Sequence, residues 1–192
     1  MRPQQSKFTT RQTASPGRWS FLAHLRRLRR DESASTAIEF AIVAMPFLIL
    51  MLVIIELGLA FFAGQVLDNA VADSARLIRT GQAIEANLDQ AGFKQKILDR
   101  LPGFFAEERL NVDVKSYSNF ADVNIPPPID ADGNLIDNFD FNPGGASQIV
   151  VVRVFYRWPM AGSYLGIDFA DLADGSRLLG STAAFRNEPF PF

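Results

Sequence analysis

A chain of 192 residues with a formal net charge of −2 is long enough for one domain and a membrane anchor, but too short for two full domains. It has no cysteine, and its one histidine is His24. This composition excludes thiolate metal sites and cysteine nucleophiles, and it excludes a histidine-based metal site or catalytic triad from the part of the chain after residue 24.

The charge is distributed unevenly along the chain. Residues 1–33 carry eight basic residues against two acidic ones, a net charge of +6, whereas residues 34–192 carry eleven against nineteen, a net charge of −8. A long apolar run separates the two parts, and basic segments beside such a run stay in the cytoplasm. We therefore expect a single-pass membrane protein whose N-terminus is cytoplasmic and whose residues 64–192 lie on the other side of the membrane.

The basic head, residues 1–34, has two parts. Residues 1–17 are rich in Ser, Thr and Gln without an apolar period, which is typical of disorder. Residues 18–30, RWSFLAHLRRLRR, interleave apolar and aromatic side chains with arginines. This pattern fits a segment that lies on the anionic inner leaflet. It fits a plain positively charged flank as well, and we favour the flank because any single-pass protein needs one.

The apolar run is too long for a secretory signal. Residues 41–55 are apolar without interruption, and LGLAFFA continues the run after Glu56. A signal peptide has an apolar core of only about 7–15 residues and a small-residue cleavage site beyond it, whereas residues 60–65 offer a poor site. We therefore predict a retained transmembrane helix over residues 35–63.

The helix is predicted to continue beyond the membrane to about Thr80. Apolar and small side chains recur there at three- and four-residue spacing, and the positions concerned are Phe62, Val66, Leu67, Ala70, Val71, Ser74, Ala75 and Ile78. Arg76 and Arg79 fall in the last turns, and Gly81 supplies the stop. A second helix is predicted over residues 86–101, where a proline follows.

After residue 101 the sequence changes to the period of strands. RLNVDVKSYS alternates apolar and polar positions, and residues 148–159, QIVVVRVFYRWP, predict a central strand covered on both faces. A long irregular stretch, residues 119–146, separates them. SYLGIDFADLADG is expected to hold a short helix ending near Gly175, and residues 176–188 to form a last strand. The order predicts an α+β fold, in which a long membrane-spanning helix leads into a second helix and an antiparallel sheet of about three strands.

An acidic loop, IDADGNLID, is a weak candidate for a metal site. Its oxygen-bearing side chains are those of Asp130, Asp132, Asn134 and Asp137. Carboxylates spaced by two suit calcium, but an EF-hand places glycine sixth from the first Asp, and here Gly133 is fourth. Asp-Gly is also a common turn dipeptide, so we predict a turn, with no metal and no cofactor.

The sequence offers no catalytic constellation. Its acidic pairs are explained more simply as solvated surface, and no nucleophile has a base beside it. There is no glycine-rich phosphate loop, and the basic head is not accompanied by a module that reads nucleic acid. We therefore predict a protein that is not an enzyme and does not bind nucleic acid.

The residues before the apolar run, STAIEF at 35–40, resemble the cleavage site of type IV-like prepilins. The resemblance implies that a prepilin peptidase cuts between Ala34 and Ser35 on the cytoplasmic side, although the residue before the cut is usually Gly. In pilins the corresponding glutamate is thought to face the amino terminus of a neighbouring subunit, so Glu39, followed by Phe40, would set the axial register of assembly. A juxtamembrane carboxylate partnered by the preceding arginines or by water is the simpler alternative.

Three segments together, ASTAIEFAIVAMPFLILMLVIIELG, ARLIRTGQ and the closing AAFRNEPF, resemble TadE-like proteins of the tight-adherence (Flp) pilus apparatus. The resemblance covers residues 33–85 and the last dozen residues, and the middle of the chain only in layout. It implies a pilin-like periplasmic domain on an inner-membrane helix, in a minor pseudopilin that serves pilus assembly or secretion. The implied partners are other pseudopilins or pilins, inner-membrane assembly proteins, the bilayer, and prepilin peptidase as processing enzyme.

Two alternatives stay open at this point. Glu56 faces a different side of the helix from Glu39. It either pairs with a partner helix or is hydrated near the outer interface, and we favour hydration. The alternative function is that of an uncleaved, signal-anchored, single-pass periplasmic binding module whose loop at residues 119–146 captures a ligand or partner.

Overall fold

The computed structural model describes residues 32–162 and 169–190, without the side chains of residues 32–34. The described α-helices are α1 (Glu32–Arg79), α2 (Gln82–Glu85) and α3 (Gln90–Leu98). The described strands are β1 (Leu110–Tyr117), β2 (Ile149–Pro159) and β3 (Ser176–Arg186), and short 3₁₀ turns cover Glu107–Arg109 and Phe120–Asp122. This element order confirms the predicted α+β fold.

Some predictions fall on residues that the structure does not describe. Most of the basic head, residues 1–31, and the first part of the predicted short helix, residues 163–168, lie outside the described residues. Residues 169–175, the rest of that prediction, are not helical, and residues 171–175 form bends and turns, so the prediction of a helix there is wrong. The cause is a tight return into β3, in which the backbone N–H groups of Asp171 and Leu172 both donate to the carbonyl of Ser176 at 3.1 Å.

β2 is the central strand of the sheet, whose order is β1-β2-β3 with both pairings antiparallel. Tyr156 pairs with Leu110 on one side and with Leu179 on the other. Every residue of β2 from Ile149 through Tyr156 is buried. The prediction of a central strand covered on both faces is therefore confirmed, and the β-branched run suits a pleated surface with neighbours on each side.

The second half of α1 packs into one core with the sheet through small and branched residues. Its buried positions recur every three or four residues, and they are Ala60, Ala63, Leu67, Ala70, Val71, Ser74, Ala75 and Ile78. All of them except Ala60 and Ser74 share one hydrophobic core with Val112, Val152 and Tyr156. The predicted continuation of the helix to about Thr80 is confirmed. Two positions of the predicted period are less buried, since Phe62 is 57% exposed and Val66 is half-buried.

The helices end and begin where the backbone leaves the right-handed helical region. Gly81 has φ 79° and stops α1, as predicted. The predicted second helix over residues 86–101 is wrong at its start, because Asn87 has φ 48° and interrupts the chain there. α3 begins only after Asp89, whose carboxylate accepts a hydrogen bond from the backbone N–H of Gly92 at 2.7 Å.

The loop of residues 119–146 covers the other face of the sheet, and a buried ion pair holds it there. The side chains of Arg153 and Asp113, paired across β2 and β1, are 9% and 1% exposed. The guanidinium donates to the Asp113 carboxylate at 2.5 and 3.0 Å and to the loop carbonyl of Pro126 at 2.8 Å. Asp113 also accepts from the backbone N–H of Asp140 at 3.0 Å. The irregular stretch is thus part of the packed domain.

Asp113→Ala is expected to lower the free energy of unfolding by about 3–5 kcal/mol, because it leaves a buried guanidinium without its counter-charge. Denaturant unfolding of the full chain in detergent measures this change. The control is Asp73→Ala, on the exposed side of α1, which is expected to stay within about 0.5 kcal/mol of the unmodified chain. Equal losses from the two substitutions would contradict the role given to the ion pair.

Candidate functional site

The start of α1 carries the residues that the sequence assigns to processing and assembly. Ser35 and Glu39 lie one helical turn apart, and the Ser35 hydroxyl donates to Glu39 Oε1 at 3.3 Å. Glu39 is exposed, and Phe40 beside it is 74% exposed. α1 begins at Glu32, so the bond that follows Ala34 lies in its first turn. The structure therefore groups the described members of this predicted site at one end of a helix.

α1 is apolar on all sides in the compact unit that ends at residue 51. Most of its large apolar side chains there are more than half exposed, namely Ile38, Phe40, Ile42, Val43, Met45, Phe47, Leu48 and Leu50. A helix that is apolar all round belongs in a protein core or in a membrane. By length and composition α1 can cross a membrane, and this is compatible with a single-pass anchor.

Glu56 is the second carboxylate of the apolar run, and it is bonded within the chain. Its Oε1 accepts from the backbone N–H of Ala161, and its two oxygens accept from the N–H of Gly162 at 3.1 and 3.0 Å. Hydrogen bonds to an ionised acceptor are roughly twice as strong as those between neutral groups. The sequence interpretation, a partner helix or free hydration, missed this intramolecular partner.

This contact fixes the place where the sheet domain meets α1. Met160 and Gly162 are buried beside it, and Gly162 has no side chain to keep its backbone away from the carboxylate. Ala60, one turn after Glu56, is the first buried side chain among those described on α1. The two bonded segments are 105 residues apart, and no local pattern in the sequence connects them.

The acidic loop at IDADGNLID forms a turn. The Asp130 carboxylate accepts from the backbone N–H of Asn134 at 2.7 Å and from that of Asp132 at 3.0 Å. The bond from the Asn134 backbone is the main cause that lowers the pKa of Asp130, and Gly133 adopts φ 81° at the bend. Asp137 is exposed. Within residues 32–162 and 169–190, no group of three or more His, Cys, Asp or Glu could hold a metal ion.

A model of the TadE-like protein family matches residues 34–76. This segment is TadE-like. It contains the predicted cleavage site, Glu39, Glu56 and most of the α1 face that packs with the sheet. The predicted resemblance is confirmed over this segment, and the match supports a part in Tad pilus systems.

The sheet domain lies largely outside that match. Searches of curated proteins and of solved structures found no match. The resemblance predicted for the closing residues AAFRNEPF falls outside residues 34–76 and stays a prediction.

Glu56→Ala is expected to speed amide hydrogen exchange at Ala161 and Gly162 by about ten- to a hundredfold, because a hydrogen bond to a charged group contributes about 1.5–3 kcal/mol. Exchange read by mass spectrometry on the full chain in detergent or nanodiscs measures the effect. The matched control is Asp68→Ala, another carboxylate of α1 that is exposed, and it should leave both amides unchanged. Unchanged exchange in Glu56→Ala itself would show that the contact does not hold this segment.

Proposed function

We propose that the chain is a minor pseudopilin-like structural component of a tight-adherence (Flp, type IV-like) pilus assembly or secretion apparatus. It is anchored in the bacterial inner membrane by α1, with a cytoplasmic N-terminus and a periplasmic α+β domain. One observation carries the proposal. The TadE-like segment, residues 34–76, lies on α1, whose first part is apolar all round and has Glu39 near its start.

The membrane-spanning part of α1 is residues 35–55 in this proposal. At about 1.5 Å per residue it is about 30 Å long, the thickness of the hydrocarbon core. The sequence alone predicted a longer span, residues 35–63. The shorter one is favoured because Ala60 and Ala63 are 3% and 0% exposed in the domain core. Glu56 and the backbone it binds then lie at the periplasmic interface, where water and headgroups complete their solvation.

Glu39 is the residue that we assign to the register of assembly. A carboxylate at the edge of hydrocarbon is unfavourable unless a partner offsets its charge, and the neutral Ser35 hydroxyl at 3.3 Å supplies only part of what it needs. Cleavage after Ala34 makes Ser35 the amino-terminal residue and gives it a positive charge. The ammonium group of one subunit then complements Glu39 of another, and this happens in one axial register only.

The partners follow from this arrangement. Prepilin peptidase is the processing enzyme, and other pseudopilins or pilins pack along the apolar surface of α1. Inner-membrane assembly proteins and the bilayer complete the surroundings. The role is structural rather than enzymatic, because TadE-like proteins build pili. The sequence motifs of the chain also place no base beside a nucleophile.

The alternative function is that of an uncleaved periplasmic binding module. It draws support from two apolar side chains in the loop of residues 119–146, since Phe120 is 64% and Ile125 is 50% exposed. Such side chains suit a protein partner. This alternative requires the mature protein to keep residues 1–34.

Glu39→Ala is expected to abolish co-purification of the chain with other pilus subunits while leaving it in the membrane. The reason is that the substitution removes the carboxylate with which the ammonium group of a neighbouring subunit would pair. Pilus output and co-purification are measured in cells that carry the variant as their sole copy. Glu85→Ala, an exposed carboxylate outside the TadE-like segment, is the control and should assemble normally. Normal pilus output from Glu39→Ala would refute the register mechanism.

A further inference from the structure

An apolar groove opens at the end of the sheet domain where Glu56 binds the chain. α1, the turn before β1 and the end of β2 form it, and its lining includes Leu59, Phe62, Phe104, Arg109, Trp158 and Pro159. Its three most exposed apolar side chains are 52%, 57% and 53% exposed, and they are those of Leu59, Phe62 and Phe104 respectively. Contiguous exposed apolar surface of this kind marks a surface that something covers.

Ring contacts and a hydrogen bond support the walls of the groove. The Phe104 ring stacks on Phe105 at 5.0 Å between centroids and meets the Trp158 ring edge-on at 6.2 Å. The turn that carries these rings is tied to β2, because the backbone N–H of Ala106 donates to the Tyr156 hydroxyl at 3.0 Å. The apolar walls therefore cannot easily collapse onto each other to escape water.

The position of the groove along α1 indicates which surroundings cover its apolar walls. Within the unit that begins at residue 52, Leu52, Ile54 and Ile55 are 56%, 62% and 52% exposed. Leu59 follows Ile55 by one helical turn and Phe62 follows by two, so their side chains continue the same exposed strip. The surroundings that cover Ile54 and Ile55 therefore extend to the mouth of the groove.

We propose that this groove docks the domain onto the periplasmic leaflet of the membrane, with the upper parts of lipid acyl chains filling it. The proposal rests on the membrane anchoring proposed above. Tryptophan is enriched at the interface between hydrocarbon and water, because its ring is apolar and its indole N–H is polar. Trp158 lines the groove together with Leu59 and Phe62. These two residues of α1 follow directly after the proposed membrane span and so lie at that interface.

The charges around the groove suit a lipid headgroup layer. Arg109 lines the groove, and Arg157 lies close by, with Nη2 donating to the Glu108 carbonyl at 3.2 Å and Nη1 3.9 Å from the Asp174 carboxylate. The Ser176 hydroxyl lowers the pKa of Asp174, so this carboxylate stays charged at neutral pH. The charged Asp174 therefore pairs with Arg157 within the chain. Arg109, on the lining of the groove, is placed to meet a lipid phosphate while the apolar walls enter the acyl layer.

Trp158 is the probe that tests the docking. The chain has two tryptophans, so Trp19→Phe leaves Trp158 as the only one. The full-length variant is reconstituted in phosphatidylethanolamine–phosphatidylglycerol vesicles that contain lipids with a nitroxide near the headgroup or at the end of the acyl chain. We expect the near-headgroup nitroxide to quench Trp158 most strongly and aqueous iodide to quench it weakly. Quenching by iodide alone would overturn the proposal.

A matched control places the tryptophan at the other end of the sheet. The triple variant Trp19→Phe, Trp158→Phe, Phe120→Trp moves the probe beyond the end of β1, whose last residue, Tyr117, pairs with the first residue of β2. Phe120 is 64% exposed, so the new indole should respond to iodide and not to the lipid nitroxides. Equal lipid quenching at both positions would also overturn the proposal, since the groove would then have no special relation to the bilayer.

A second substitution tests the groove itself. In the Trp19→Phe chain, Phe104→Asp puts a charge on an apolar wall that is 53% exposed and therefore outside the packed core. It should reduce the lipid quenching of Trp158 while the chain stays inserted. Quenching that is unchanged by Phe104→Asp would contradict the docking.

Insertion is measured separately by carbonate extraction. A chain that carbonate removes from the vesicles refutes the proposed anchoring. A chain that stays inserted, with Trp158 open to iodide, refutes the docking alone. If cross-links between copies then pass through the groove, a second copy of the chain covers it instead of lipid.

Discussion

The rest of the structure depends on one helix, α1, whose two parts suit two different surroundings. Up to Ile55, α1 presents apolar side chains on every side, as hydrocarbon requires, and its backbone groups bond within the helix except at Pro46, which has no N–H to donate. From Ala60 onward one face is buried against the sheet and includes four alanines, whereas Phe61 and Phe62 remain exposed on the other side. The change takes place within about one turn, at Glu56. This carboxylate is tolerated there because the domain itself supplies two backbone donors to it.

The sheet domain is fastened to α1 near both ends of their contact. At one end the Glu56 carboxylate holds the residues that follow β2. At the other, the backbone N–H of Glu188 donates to the carbonyl of Arg79 at 2.9 Å, and the two side chains pair at 3.4 Å. That ion pair is about half exposed, so it adds little. Burial of the helix face between the two ends provides most of the stability, and the end contacts determine the alignment of the domain along the helix.

Local patterns in the sequence predicted most of the elements. QIVVVRVFYRWP marked β2 because a β-branched, aromatic run is a local property, and Gly81 marked the end of α1 because left-handed backbone favours glycine. The partner of Glu56 was missed because it depends on a contact across the whole domain. Phe62 shares the three- and four-residue period but is exposed, because hydrophobic period shows which side of a helix is apolar but not whether the core of the domain covers it. The start of α3 was wrong because Asn87 adopts an unusual backbone conformation that its residue type only weakly suggests.

The central claim is that α1 is the helix of a processed pseudopilin, and the processing event tests it most directly. The measurement is intact mass with N-terminal sequencing of the chain purified from membranes, with and without an active prepilin peptidase. The account predicts a mature chain that begins at Ser35 only when the peptidase is active, with Glu39 as its fifth residue. A chain that keeps residues 1–34 in both cases would contradict it, and the uncleaved binding module would become the better description of this protein.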